Sequence, residues 1–156
     1  MQNISLLPGA TASQSSTYSV GLAEKAIDGN TSGIWNEGYV SHTGFTSNPF
    51  WKLEWSGAHR IVKIKVWNIT FGGWRHNIIG FVLTIHLNGN EIWSSTSSAI
   101  DTSVEAEAYE FPIDDSVHGD EVIVTIPGDN RILLLAEVEV FGTSTPLYNV
   151  ALNKST

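Results

Sequence analysis

The chain has 156 residues, a formal net charge of −8 at pH 7 and no cysteine. This length is enough to bury a hydrophobic core without cross-links, and the missing cysteines exclude disulfides, thiolate metal sites and cysteine nucleophiles. No run of 18 apolar residues is present to span a membrane, and the acidic charge argues against binding to nucleic acid or to an anionic membrane surface.

The first part of the chain contains one predicted helical turn and one clear strand. The turn covers residues 22–27, and the strand covers residues 61–67, where apolar and polar residues alternate. The alternation predicts that Ile64 and Val66 face the core and that Lys63 and Lys65 face solvent. Trp51 and Trp67 lie in strand patterns, and we predict that both belong to the core.

The second part of the chain is predicted to contain only strands. Asn88-Gly89 separates two apolar stretches, 81–87 and 90–93, and Asn-Gly in this setting is the strongest short signal for a β-hairpin. Further strands are predicted, with turns at 114–115 and 127–130 between them, over residues 106–112, 122–126 and 133–141. The sequence therefore predicts an all-β protein, a sandwich or jelly roll.

Enzyme motifs are missing from the sequence. It contains no Gly-x-Ser-x-Gly elbow, no His-Glu-x-x-His pair, no phosphate-binding loop and no dinucleotide fingerprint. The serine-rich stretch 94–98 has the composition of a loop. We therefore predict that the protein is not an enzyme.

Two segments carry residues suited to binding. Asp28-Gly29-Asn30 is either a Ca²⁺-binding turn, since hard oxygen ligands suit this ion, or a plain Asx turn. Within the segment 71–77, two glycines are followed by an aromatic ring, a guanidinium, an imidazole and an amide. These groups suit the binding of a sugar. These four candidates are Trp74, Arg75, His76 and Asn77.

Positive charge is concentrated in one part of the sequence. Five of the eight lysines and arginines lie between residues 52 and 75, where Glu54 is the only acid. This pattern indicates either a solvated face or a locally basic binding edge. Arg75 with Lys63 and Lys65 would suit a sulfated or carboxylated ligand through charge-assisted hydrogen bonds.

The end of the sequence echoes its beginning. Asn149-Val150-Ala151-Leu152 resembles Asn3-Ile4-Ser5-Leu6, and residues 143–148 have the composition of a linker. We predict one module over 1–142, a linker over 143–148 and the start of a second, similar module over 149–156.

Several blocks in order identify a resemblance to the F-type lectins, or fucolectins, of the discoidin-like group. The blocks cover residues 12–18, 25–30, 41–43, 48–53, 61–64 and 136–142. The resemblance implies a jelly-roll β-sandwich with a structural Ca²⁺ near a fucose site. It further implies Ca²⁺ ligation by the side chains of Asp28 and Glu137, by the carbonyls of Lys25, Asn30 and Ala136, and by an oxygen near Tyr39.

The sugar motif of the family is only partly present. The resemblance places the family's histidine at His42, whereas its arginine and aspartate fall on Ile69 and Phe71 and its cysteine pair on Gly72-Gly73. The family's last basic residue falls on His76, or on Asn77 if the register is taken from Gly80-Phe81. Trp35 would form an apolar wall of the pocket. His42 by itself could equally be a buried core histidine.

The sequence thus predicts a non-catalytic module, secreted or on the cell surface, that binds a fucose-containing and possibly sulfated glycan. The alternative is a discoidin-like adhesion domain without a sugar site. An exposed Trp74 on a loop with His42 and Arg75 would favour the lectin, and a buried Trp74 would favour the adhesion domain.

Overall fold

The computed structural model describes residues 1–146, which form nine β-strands and five short 3₁₀ helices. The strands are β1 Gln2–Asn3, β2 Thr11–Gln14, β3 Ser41–His42, β4 Phe50–Trp67, β5 Val82–Leu87, β6 Asn90–Ser94, β7 Ala108–Thr125, β8 Leu134–Leu135 and β9 Glu137–Gly142. The 3₁₀ helices cover Ile4–Leu6, Ala23–Ile27, Trp35–Glu37, Gly72–Ile78 and Ser95–Ser97. None of these helices has the length and apolar character needed to cross a membrane.

Two 18-residue strands, β4 and β7, run through both layers of the sandwich. The first half of β4 pairs with β2 and with the second half of β7, while its second half pairs with β9 and with the first half of β7. Register shifts after Glu54 and after Ile61 bend the two strands together. Extra residues in an antiparallel pair kink the strands locally, so the pairing of β4 with β7 joins the two layers.

Shorter strands complete the layers. The order β1-β9-β4-β7-β5-β6, with β2 on β4, forms the main sheet, and β3 pairs with β8 in a small second sheet. The predicted hairpin at Asn88-Gly89 is confirmed, since it joins β5 to β6 with φ values of 52° and 82° at the two residues. These left-handed values are what a type I′ turn requires. The all-β prediction is confirmed.

The core follows the predicted alternation with one exception. Trp51, Ile64 and Val66 are fully buried. Trp67, however, is only partly buried: its indole N–H donates to Glu139, and the Lys65 ammonium lies 4.3 Å from the centre of its ring. The core prediction for Trp67 was wrong because Val66 faces inward, and the next residue of a strand points to the opposite face.

The predicted turn at Asp114-Asp115 was also wrong as a strand boundary. Both predicted strands, 106–112 and 122–126, fall largely within β7, which continues through these aspartates. Asp115 and Ser116 have φ values of 61° and 41°, so turn-forming residues here build the bend of one strand. The predicted helical turn is confirmed as the 3₁₀ helix Ala23–Ile27. The second module at 149–156 lies outside the described residues, as does the end of the linker.

Candidate functional site

An open cleft of about 370 Å³ lies beside the small β3-β8 sheet. Five separate parts of the chain form it, and no described residue of its lining carries a fixed charge. The lining residues are Tyr18, Trp35, His42, Gly44, Phe45, Phe71, Trp74 and Ile132. The structure therefore brings together three of the predicted sugar-binding residues, His42, Trp35 and Trp74, in one cleft.

His42 is the centre of an aromatic cluster. Its ring centroid lies 4.7 Å from that of Tyr18, 5.1 Å from that of Trp35 and 6.5 Å from that of Trp74. Its Nδ1 lies 2.7 Å from the Thr43 carbonyl, which can only accept a hydrogen bond, so Nδ1 carries the proton. Burial lowers the pKa of His42, against the Thr43 hydrogen bond that raises it, and the ring is neutral at pH 7. Nε2 is therefore left as a hydrogen-bond acceptor.

Gly21 makes this position of His42 possible. A Cβ atom at residue 21 would lie 2.4 Å from the His42 Cβ, because the two backbones are joined by a hydrogen bond of 3.0 Å from the His42 amide to the Gly21 carbonyl. A side chain at residue 21 would push β3 away from the cleft.

We expect Gly21→Ala to lower the free energy of unfolding by about 1–3 kcal/mol, as overpacking does elsewhere, and to reduce ligand binding with it. Denaturant titration measures the first effect and calorimetry the second. Gly44→Ala is the control for stability, because a Cβ there would meet only the Ser16 hydroxyl at 3.5 Å. Equal stability of the two variants would contradict this account of Gly21.

A single buried amide anchors the loop that presents Trp74. Gly72, with a φ of 52°, turns the chain into the 3₁₀ helix Gly72–Ile78, and Trp74 is 43% exposed there. The Asn68 side-chain amide is buried and donates to the carbonyls of Arg75, at 3.0 Å, and Ala106, at 3.1 Å. The loop is thus held by its backbone, which leaves the Trp74 ring free on the cleft.

The other predicted residues of this loop do not line the cleft. Arg75 pairs with Glu105, whose Oε1 lies 3.3 Å from its Nε. His76 is exposed, and the Asn77 amide donates to the Trp74 carbonyl at 2.9 Å, so Asn77 braces the loop. The basic residue Lys63 likewise pairs with a carboxylate, that of Glu110, at 3.6 Å. Their roles in binding stay predictions.

Sequence reasoning did not place Tyr18, Gly44, Phe45 or Ile132 in the cleft. Tyr18 and Phe45 are 56% and 54% exposed. Phe45 is held because Thr46 bridges Arg131 with two backbone hydrogen bonds of 2.9 Å. A large ring within a Ser-, Thr- and Gly-rich stretch was the available signal for both aromatics. Ile132 gave none, because an isoleucine beside a strand is ordinary core.

A second polar site brings together Asp28 and Glu137. Asp28 ends the 3₁₀ helix Ala23–Ile27, and Glu137, the first residue of β9, is fully buried. The Gly29 amide, in a turn with a φ of 83°, donates to Glu137 Oε2 at 2.7 Å. The other oxygen of this carboxylate, Oε1, is buried without a hydrogen-bond partner. A buried carboxylate oxygen left unpaired is costly unless a cation meets it.

The electrostatics of this site also favour a bound cation. Burial raises the pKa of Glu137 to about 9, and the carboxylate of Asp28 adds to the rise, whereas the Gly29 amide lowers it. No cluster of three or more His, Cys, Asp or Glu side chains occurs among residues 1–146. The predicted Ca²⁺ site needs only two carboxylates, because backbone carbonyl oxygens would supply the other ligands.

The remaining predicted ligands come from elements that converge on this site. Lys25 and Asn30 flank Asp28, and the 3₁₀ helix they adjoin packs against β3 and β9. Ala136 immediately precedes Glu137 and is fully buried, while Ser41, two residues after Tyr39, pairs with Leu135. These residues fit an oxygen-rich cation site, and their ligation stays a prediction.

Solved structures of similar fold include carbohydrate-binding proteins. The lectin domain of lectinolysin in complex with Lewis b antigen superposes with a TM-score of 0.81 and 28% identity, over 91% of this chain and 97% of that chain. A Streptococcus pneumoniae fucose-binding module gives a TM-score of 0.80 and 26% identity, over 90% and 98%. A fucolectin from the serum of the striped bass, Morone saxatilis, gives 0.78 and 26%, over 90% of this chain and 48% of that chain.

More distant matches share the fold alone. A family 32 carbohydrate-binding module of Clostridium perfringens NanJ in complex with galactose has a TM-score of 0.66 and 21% identity, over 85% of this chain and 93% of that chain. No family model matches the sequence, and no curated protein matches it. The jelly-roll β-sandwich of the discoidin-like group, predicted from the sequence, is confirmed.

Proposed function

Because this chain is an F-type lectin domain, we propose that it is a non-catalytic carbohydrate-binding module for fucose-containing glycans. One observation carries the proposal: the neutral His42 ring stands between Trp35 and Trp74 in an open, uncharged cleft. A sugar presents apolar C–H faces and hydroxyl edges. Aromatic rings pack against the faces, and a few directed polar groups fix the hydroxyls.

Each part of the cleft has a role in this proposal. The exposed ring of Trp74 and that of Trp35 supply contact area for the sugar, and His42 Nε2 accepts a hydrogen bond from one hydroxyl. The adhesion-domain alternative predicts a buried Trp74, whereas Trp74 is 43% exposed and lies on the cleft with His42. The position of Trp74 therefore supports the lectin.

We expect Trp74→Ala to weaken binding to a fucosylated glycan about tenfold or more, because it removes a stacking surface, while the melting temperature stays nearly unchanged. Calorimetry with a Lewis b oligosaccharide measures the affinity. Trp93→Ala is the matched control: Trp93 packs edge-on against Phe111, with ring centroids 6.1 Å apart, away from the cleft. This control should lose stability and keep affinity. Unchanged binding by Trp74→Ala would show that the sugar binds elsewhere on the domain.

A sulfated fucan is the narrower ligand class that the basic residues suggest. Arg75 and Lys63 each lie against a glutamate, at 3.3 Å and 3.6 Å, so a sulfate group would have to compete with these carboxylates. If it does so, we expect the sulfated fucan to bind more tightly than the same polymer after desulfation, with an affinity that falls as salt rises. The Arg75→Gln variant should lose this difference. Equal, salt-independent binding of both polymers would show that the ligand is neutral.

We further propose a structural Ca²⁺ held by the Asp28 and Glu137 carboxylates and the carbonyls of Lys25, Asn30 and Ala136, with an oxygen near Tyr39. The unpaired Oε1 of Glu137 and the hard oxygen donors around it support this assignment. Fucosylated glycans are displayed on surfaces and polymers outside the cell, so the domain would act as a secreted or surface module. A second similar module in the same chain remains part of this prediction.

A further inference from the structure

The wall of the cleft is largely apolar. Five of its lining side chains are Tyr18, Trp35, Phe45, Phe71 and Trp74, and Ile132 adds a sixth large side chain. Ile69, two residues before Phe71, is fully buried in a small cluster with Val40, Ile132 and Leu134. Trp35 and Phe71 pack against this cluster and form one side of the cleft, the Phe71 wall. This cluster fixes the Phe71 wall, so the apolar surface is a packed part of the fold.

The polar atoms of the lining side chains are few and neutral. They are Nε2 of His42, the indole N–H groups of Trp35 and Trp74 and the hydroxyl of Tyr18, and in the described part of the chain none of them is hydrogen-bonded to protein. Three of the four can donate, but only His42 and the Tyr18 hydroxyl can accept. Each free sugar hydroxyl needs an acceptor for its proton when it leaves water.

We infer that the sugar bound in this cleft carries a methyl ether or an acetyl ester on at least one ring hydroxyl, an inference that rests on the proposed function. A methylated or acetylated hydroxyl has no proton that needs a hydrogen-bond acceptor, and it adds an apolar group that can pack against the Phe71 wall. Its remaining oxygen still accepts a hydrogen bond, which matches the surplus of donors in the cleft. Phe71 is then the residue that determines this specificity, with Phe45 beside it on the rim.

The test compares methyl α-L-fucopyranoside with its mono-O-methyl and mono-O-acetyl derivatives, by calorimetry or ligand-observed NMR on the whole chain. We expect at least one derivative to bind tenfold or more tightly than the unsubstituted sugar, because it buries added apolar surface and leaves no hydroxyl unpaired. A preference among ethers alone identifies a methyl cap, and a preference among esters alone identifies an acetyl cap.

Variants show whether the apolar wall causes the preference. Phe71→Ser should bring the affinities of substituted and unsubstituted sugar together, and Phe45→Ser, at a more exposed position, tests the same point if Phe71→Ser melts early. Phe141→Ser is the control, since Phe141 packs under the Lys63 ammonium, 4.7 Å from its ring centre, on β9. It should keep the preference.

Two outcomes separate failure of this inference from failure of the proposed function. If the unsubstituted fucoside binds as tightly as every derivative, the capped-sugar inference is overturned and the fucose-binding module stands. If no fucoside and no glycan of a broad array binds, the proposed function itself is overturned, and the inference with it.

Discussion

Removal of Ca²⁺ is expected to lower the melting temperature by about 10 °C. A ligand that binds only the native state, present at 1,000 times its Kd, stabilises that state by about 4.1 kcal/mol. A chain of this size shifts by about 2–4 °C per kcal/mol, which gives the stated change. The physical reason lies in the structure: without a cation, Glu137 is buried beside a second acid, Asp28, and its pKa rises to about 9, so its charged form is disfavoured.

The experiment is a thermal melt with Ca²⁺ and after EDTA treatment, with the metal content verified. In Glu137→Gln, EDTA should leave the melt unchanged, because the variant has lost a ligand. Glu139→Gln is the matched control, on the same strand but partly exposed and bonded to Trp67. It should keep the full response to EDTA. A wild-type melt that does not move after complete metal removal would rule out the Ca²⁺ site.

The second large effect is expected at His42. We expect His42→Phe to lower glycan affinity about 100-fold, since a phenyl ring keeps the stacking with Trp35 and Tyr18 but lacks the Nε2 acceptor, and a site built to bond a hydroxyl loses much when the bond is missing. Calorimetry with the glycan measures this loss, and a melt measures the accompanying change in stability.

The chain offers a close control for this substitution. His59 is also buried, its Nδ1 also lies 2.7 Å from a backbone carbonyl, that of Thr143, and its ring also packs on a tryptophan, with a centroid distance of 5.5 Å to Trp55. His59→Phe should therefore lose similar stability and keep glycan affinity. If both variants lose affinity equally, His42 acts through the fold and not through a contact with the sugar.

Much of the fold could be predicted because its signals are local. Asn88-Gly89 adopts left-handed conformations that few other residue pairs accept, and the alternation around Ile64 and Val66 assigns faces residue by residue. Trp67 shows the limit of treating aromatic residues as core. Its place in the alternation puts it on the outer face, so its burial is determined by its position in the strand and not by its hydrophobicity.

The site could be predicted only in part, because long-range packing assembles it. His42, Trp35 and Trp74 were identified through the family resemblance and the composition of their loops. Arg75 was expected to face a ligand, yet its partner is Glu105, thirty residues further along the chain by sequence number, and no local pattern relates the two. Tyr18 and Phe45 meet in the cleft from separate loops, and their contribution appears only in three dimensions.

The long antiparallel pairing of β4 with β7 also determines how this domain folds. Each strand contributes to both layers, so neither layer can form a complete sheet while the other is unfolded. The pairing joins residues as far apart as Phe50 and Thr125. Such non-local contacts are entropically costly to close, and proteins dominated by them fold in about milliseconds to seconds. We expect a single cooperative unfolding transition, with the residues around the bend among the last to exchange their amide protons.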